Sequence, residues 1–262
     1  MARAILILGL ILAGQEADPS LVPHENLDRL GAAGSPVRKG EVIAFFGDSI
    51  TMQGEDAGRK GYLTLLRKAL ETGEGTRDQG ARVLGFGLNG GRVPTMFEGR
   101  SPWGDIRDSS GKPGTFQDML DREKPTLVVI ALGINDVWHR EKGTPPREYE
   151  AGLLRMLDSI TKAKARAVLC TPTIIGSKAP GANEFDRKLD EYSDIVRRLG
   201  AARKAAVADH RKAFQDFIRR YNKEGKESGF VTYDQVHMLA AGNALLAEGM
   251  AGAILEALKA AK

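Results

Sequence analysis

Five short apolar runs constrain this chain more than any other feature. Residues 41–46, 81–86, 125–132, 165–170 and 205–208 each end at a glycine or a polar residue. The run at 125–132 (PTLVVIAL) is apolar at successive positions, so it must be covered on both faces. That is the pattern of a parallel strand lying between two layers of helices. Between the runs lie stretches with helical spacing, at 61–72, 147–163, 184–200, 211–224 and 240–260. In the second of these, Tyr149, Leu153, Leu154, Leu157 and Ile160 fall near one helical face. Strands alternating with helices predict an α/β fold with a central, mostly parallel five-stranded sheet, right-handed crossovers and helices on both faces. No internal repeat or linker divides the chain, so residues 40–262 read as one domain, long enough to bury a large core. Residues 18–39, rich in proline, glycine and charge, read as an extended lead-in. Residues 98–114 read as a long surface loop carrying Trp103.

The N-terminus follows a different logic. Arg3 precedes an apolar run at 4–13, and Gln15, Glu16 and Asp18 follow it. The run is shorter than the roughly 20 residues that span a bilayer. A basic start, a short apolar stretch and small residues beyond it predict a cleaved signal peptide over residues 1–17 and a secreted or periplasmic protein. The alternative is a first buried strand or helix. No cysteine follows the run, so no lipid or other stable membrane anchor is expected. The single cysteine, Cys170, lies in an apolar run and reads as a core residue. With 38 basic and 34 acidic residues the net charge is +4. Those charges are scattered over helical stretches such as 197–204, which argues against a nucleic-acid partner.

In open parallel sheets the working residues sit just beyond the carboxyl ends of the strands. Three polar motifs fall there and a fourth just before the last helix. Residues 47–51 are Gly-Asp-Ser-Ile-Thr; the glycine allows a tight strand-to-helix turn, and Ser49 is either a helix-capping residue or a nucleophile facing a cleft. Residues 85–91, Gly-Phe-Gly-Leu-Asn-Gly-Gly, contain a literal G-x-G-x-x-G. It follows the second strand, and the acidic partner due about 20 residues later would fall in a loop near Asp105 or Asp108, so a dinucleotide site is set aside. A glycine turn, or a Gly90 N–H aimed at a developing oxyanion, remains. Residues 133–136, Gly-Ile-Asn-Asp, place Asn135 as a turn residue or as an amide donor to that oxyanion. Asp234 and His237 are three residues apart, close enough for one carboxylate to hold one imidazole nitrogen while the other serves as general base. Of the remaining histidines, His24 lies in the lead-in, and His139 and His210 read as surface or packing residues.

These four segments, in this order, resemble the blocks of the SGNH/GDSL hydrolases, and the resemblance covers most of residues 41–260. It implies a flavodoxin-like three-layer α/β/α sandwich. It implies Ser49 as nucleophile, His237 as base and Asp234 as its partner. Ser49 N–H, Gly90 N–H and the Asn135 amide would form the oxyanion hole. No metal or cofactor is implied. Gln235 stands where a glycine is common in the family.

The sequence also suggests a substrate class. Asp48, Arg92, Trp103 and Trp138 are candidate substrate contacts, and the run 135–139 is similar to members that deacetylate polysaccharides. The expectation is a secreted esterase acting on small-molecule or polysaccharide esters, with O-acetyl groups on carbohydrate favoured. The alternatives are a lipase or lysophospholipase of the same family, and a non-catalytic carbohydrate-binding module on the same fold. Oligomeric state is not legible in the sequence.

Overall fold

The computed structural model describes residues 16–260. Most of the expected signal peptide therefore lies outside the described residues. The sheet has five parallel strands, β1 (Val42–Gly47), β2 (Arg82–Gly87), β5 (Leu127–Ala131), β6 (Arg166–Cys170) and β7 (Ala206–Ala208), in the order β2-β1-β5-β6-β7. They match the five apolar runs, trimmed by a residue or two. A small antiparallel pair, β3 (Arg100–Ser101) and β4 (Gly104–Asp105), stands apart. β1, between β2 and β5, is buried from Ile43 onward because helices cover both faces of the sheet there.

One face of the sheet is covered by α3 (Tyr62–Thr72) and α10 (Ala240–Lys259), with α1 (Glu25–Gly31) and α9 (His210–Tyr221) packed on α10. On the other face lie α4 (Val93–Glu98), α5 (Phe116–Glu123), α7 (Pro146–Lys162) and α8 (Asp186–Arg203). Two short helices, α2 (Ser49–Gln53) and α6 (Ile134–Trp138), begin just beyond β1 and β5. In α7 the buried stripe is Tyr149, Leu153, Met156, Leu157 and Ile160; Met156 stands where Leu154 was expected, and Leu154 is only partly covered. α10 is apolar all round because the sheet lies beneath it and α1 and α3 cover it. No described helix is long and apolar enough to cross a membrane.

The sheet switches direction between β1 and β5: the chain steps outward from β1 to β2, then returns to β5 and proceeds through β6 to β7. At such a switch point the loops leaving neighbouring strands diverge and open a crevice at the strand ends. Ser49 leaves β1 and Asn135 leaves β5, so the two sit on either side of it.

The lead-in differs from expectation. Residues 25–31 form a helix, not extended chain. Leu27 and Leu30 are buried, and the first helical N–H groups, of Asn26 and Leu27, donate to the Glu248 carboxylate at 2.8 and 3.0 Å. A cap more than 220 residues away in sequence has no local signature. The loop at 98–114 is likewise not structureless, since its first half is the β3–β4 hairpin. Cys170 is buried and its thiol is held well above the ordinary range by desolvation.

Glu248→Ala would strip two helix N-terminal donors of their acceptor, a cap loss worth about 1 kcal/mol. Chemical denaturation should show a loss of that size, and limited proteolysis should cut first near residues 24–31.

Candidate active site

The turn from β1 into α2 places Ser49. Asp48 caps α2, its Oδ1 accepting the Ile50 N–H at 2.8 Å, and Ser49 is the first helical residue. α2 lies so close to the strand that a Cβ at position 47 would sit 1.9 Å from Thr51 Oγ1. Thr51 in turn accepts a hydrogen bond from Tyr62 Oη at 2.9 Å, tying α2 to α3.

Ser49 Oγ is 2.8 Å from His237 Nε2, and His237 Nδ1 is 2.6 Å from Asp234 Oδ2. The second Asp234 oxygen accepts the backbone N–H groups of Val236 and His237 at 3.1 and 2.8 Å. One carboxylate thus shapes the turn and orients the ring. Partial burial alone would raise the Asp234 carboxyl, but the His237 backbone and ring and the Val236 N–H outweigh it and hold it below the usual aspartate value. An ionised Asp234 can only accept, so His237 Nδ1–H donates to it and Nε2 is left to accept the Ser49 hydroxyl proton. Tyr233 stacks on the imidazole at 5.6 Å and 17°, and its Oη donates to Gln53 Oε1 at 3.1 Å. Tyr233 was not among the expected residues; its position beside Asp234 was the available signal.

The second and third blocks meet across the crevice. Gly87 lies within β2, in register with Gly47, whereas Gly90 occupies the turn beyond it. Gly90 has φ +64, and a Cβ there would strike the Trp103 indole at 2.2 Å, so only glycine fits. With Gly85 and Gly87 both inside the strand, the G-x-G-x-x-G match does not form a phosphate-binding turn. Asn135 Nδ2 donates to Gly91 O at 3.2 Å. Its neighbour Asp136 is fully buried and accepts the Val93 N–H at 3.1 Å, fastening α4 to α6. Burial pushes the Asp136 carboxyl up to about 6.

The substrate candidates divide. Trp103 is 59% exposed, lies over Gly90 and stacks on His139 at 6.1 Å and 13°. Desolvation, then the Arg92 charge, hold His139 below the ordinary histidine value, so it stacks as a neutral ring. Trp138 is 39% exposed on α6. Arg92 is partly exposed and donates to Lys142 O at 2.8 Å. Asp48 is the correction: expected to face substrate, it is buried, its cap bond directs it to the α2 N-terminus, and burial raises it to about 7. His210 is a packing residue, buried against Gly249. Among the described residues the exposed large apolar side chains are Met52, Trp103, Trp138 and Tyr233. Each is within four residues of a member of the site or in van der Waals reach of one.

A doubly wound sheet with a serine, histidine and aspartate in hydrogen-bonded series at its switch point has the geometry of a serine-type acyl hydrolase. A sequence profile of the GDSL-like lipase/acylhydrolase family matches residues 45–245, and the chain belongs to that family. It is a carboxylic ester hydrolase. An acetylxylan esterase of Geobacillus stearothermophilus is 27% identical over 234 residues, covering 80% of this chain and 92% of that one. The crystal structure of an acetyl xylan esterase, AlAXEase, superposes with a TM-score of 0.70 at 30% identity, covering 81% of this chain and 99% of that one. An enzyme from the metagenome of Lake Arreo, Spain, LAE5, shares the fold at 22% identity, TM-score 0.68, covering 86% and 99% of the two chains.

The buried Asp136 gives a test with a defined sign. Its folded value of about 6 lies above its ordinary 3.8, so it costs stability as pH rises from about 4 through 6, by up to about 3 kcal/mol. Asp136→Asn keeps an acceptor for Val93 and should gain stability relative to the parent over that window, then run parallel above it. Asp136→Ala leaves the Val93 N–H unpaired and should be less stable than Asp136→Asn by about 1–3 kcal/mol. Denaturant melts at pH 4, 6 and 8 check both.

Proposed function

We propose that this protein removes O-acetyl groups from carbohydrate, with Ser49, His237 and Asp234 as its catalytic residues. The observation that carries the mechanism is the continuous hydrogen-bonded series Asp234–His237–Ser49 at 2.6 and 2.8 Å. Ser49 Oγ attacks the acetyl carbonyl carbon while His237 Nε2 takes its proton. The oxyanion is held by the N–H groups of Ser49 and Gly90 and by the Asn135 Nδ2 hydrogen that Gly91 O leaves free. Collapse expels the sugar oxygen, which takes the proton back from His237 and leaves acetyl-Ser49. Water, deprotonated by His237, then releases acetate and restores the serine.

Carbohydrate is favoured over lipid by the surroundings. The exposed rings of Trp103 and Trp138, braced on His139 and Phe185, stand beside the site as walls for sugar faces, and the groove beside Trp138 is lined by Arg140, Glu184, Glu227 and Gln235. A long acyl chain would find charged and amide groups there. The similarity to two acetylxylan esterases points the same way. We read the basic and apolar N-terminus as an export signal, which would bring the enzyme to polysaccharide outside the cell.

Acetate release from acetylated xylan should exceed hydrolysis of long-chain p-nitrophenyl esters; the reverse order would favour the lipase reading. Asp234→Asn should lower kcat by about 10⁴-fold, because the carboxamide no longer selects the required imidazole tautomer. Asn135→Ala should lower it by about 10²–10³-fold through loss of one oxyanion donor. Single-turnover acetate assays distinguish these from binding losses.

A further inference from the structure

A groove of about 250 Å³ lies beside the catalytic series, lined among others by Trp138, Phe185, Arg140, Glu227 and Gln235. Its two walls belong to the site itself. Trp138 is three residues beyond Asn135 on α6, and Gln235 lies in the turn between Asp234 and His237. One wall is a stack: the Trp138 and Phe185 rings lie 5.5 Å apart at 31°, and the Arg140 guanidinium covers Phe185 at 5.1 Å. Arg140 also pairs with Glu184 at 2.6 Å. The Trp138 indole therefore has a braced, partly exposed ring and, among the described residues, no ring partner beyond Phe185.

Gln235, which lines the same groove, is an anomaly. Gln235 has φ +78, a left-handed conformation that non-glycine residues seldom adopt and that only a surrounding constraint maintains. Its backbone supplies part of that constraint, since Gln235 O accepts the Gly176 N–H at 2.9 Å. Its side-chain amide makes no hydrogen bond to any described residue, although it is partly covered. A glycine would satisfy the backbone without strain. A glutamine here retains a donor and an acceptor for which the fold has no internal use. Glu227, paired with Lys178 at 3.0 Å, adds a carboxylate on the same groove.

We propose that this groove binds a neutral sugar ring of the polysaccharide backbone next to the acetylated unit, with Trp138 against the ring face and the Gln235 amide and Glu227 on its hydroxyls. An apolar face bounded by hydroxyls is what a braced indole sharing a groove with an amide and a carboxylate recognises. Gln235 is then a specificity-determining residue, and the enzyme prefers oligosaccharides to acetylated monosaccharides. This rests on the carbohydrate reading above.

The test compares kcat/KM for acetylated xylotetraose and acetylated xylose in the parent, Trp138→Ala and Gln235→Gly. The parent should prefer the tetraose by about tenfold or more, and each variant should reduce that ratio by about threefold to tenfold, mainly through KM. Gln235→Gly should do so with no drop in Tm, an effect that a purely structural role would not produce. Only two tryptophans are present, so in Trp103→Phe the fluorescence reports Trp138 alone, and unacetylated xylotetraose should quench or shift it. A parent ratio near one, or variants that leave the ratio intact, would overturn the groove assignment while the carbohydrate reading stands. Failure to hydrolyse either sugar ester, with p-nitrophenyl acetate still cleaved, would overturn both.

Discussion

A methyl group at position 47 would lie 1.9 Å from Thr51 Oγ1 and 2.8 Å from Ala131 O. The first contact exists because α2 begins at Ser49, just past the end of β1, and folds back over β1 and β2; the second because Gly47 pairs with Ala131 in the sheet. That close approach presents Ser49 at the sheet's switch point instead of along a loop. The buried Asp48 cap and the Thr51–Tyr62 bond keep it there. The Ser49–His237 contact joins parts of the chain 188 residues apart and depends on this fixed starting point.

The opposite side of the crevice is held by a second bracket. Asn135 reaches back to Gly91 O and Asp136 to Val93 N–H, so the turn carrying Gly90 cannot move independently of α6. Asp136 in this bracket is buried, as are Asp48 and His210 nearby, and this has an electrostatic consequence. Desolvation raises Asp48 and Asp136 and lowers His210 to about 4. His210 costs stability as pH falls below about 6.5, and the two carboxyls cost stability as it rises above about 4. The fold carries opposed penalties close to Ser49, which suits a site whose rigidity matters more than its contribution to stability.

The five strands and the main helices were legible because burial on two faces and helical spacing are local properties of sequence. The four site motifs were legible because glycines and polar residues interrupt those patterns at strand ends. Three things were not. α1 depends on a distant cap from Glu248 and on two leucines in a segment whose composition resembles a linker. Asp48 carries a polar side chain next to Ser49, so its burial could not be told from substrate contact. Tyr233 and the Gln235 backbone conformation follow from how the β-bridge between Thr232 and Met238 closes the turn around Asp234. Short helices such as α6 fall below the length at which periodicity is informative; α5 did have a readable start, the Thr115–Asp118 capping box.

The central claim is that Ser49 forms a covalent acyl intermediate. The most direct measurement is peptide mass spectrometry after reaction with a fluorophosphonate, alongside loss of acetate release. One adduct per chain on the peptide containing Ser49, rising in step with inactivation, is the expected result. Complete inactivation with the adduct elsewhere, or undiminished hydrolysis by a chain fully labelled at Ser49, would contradict it.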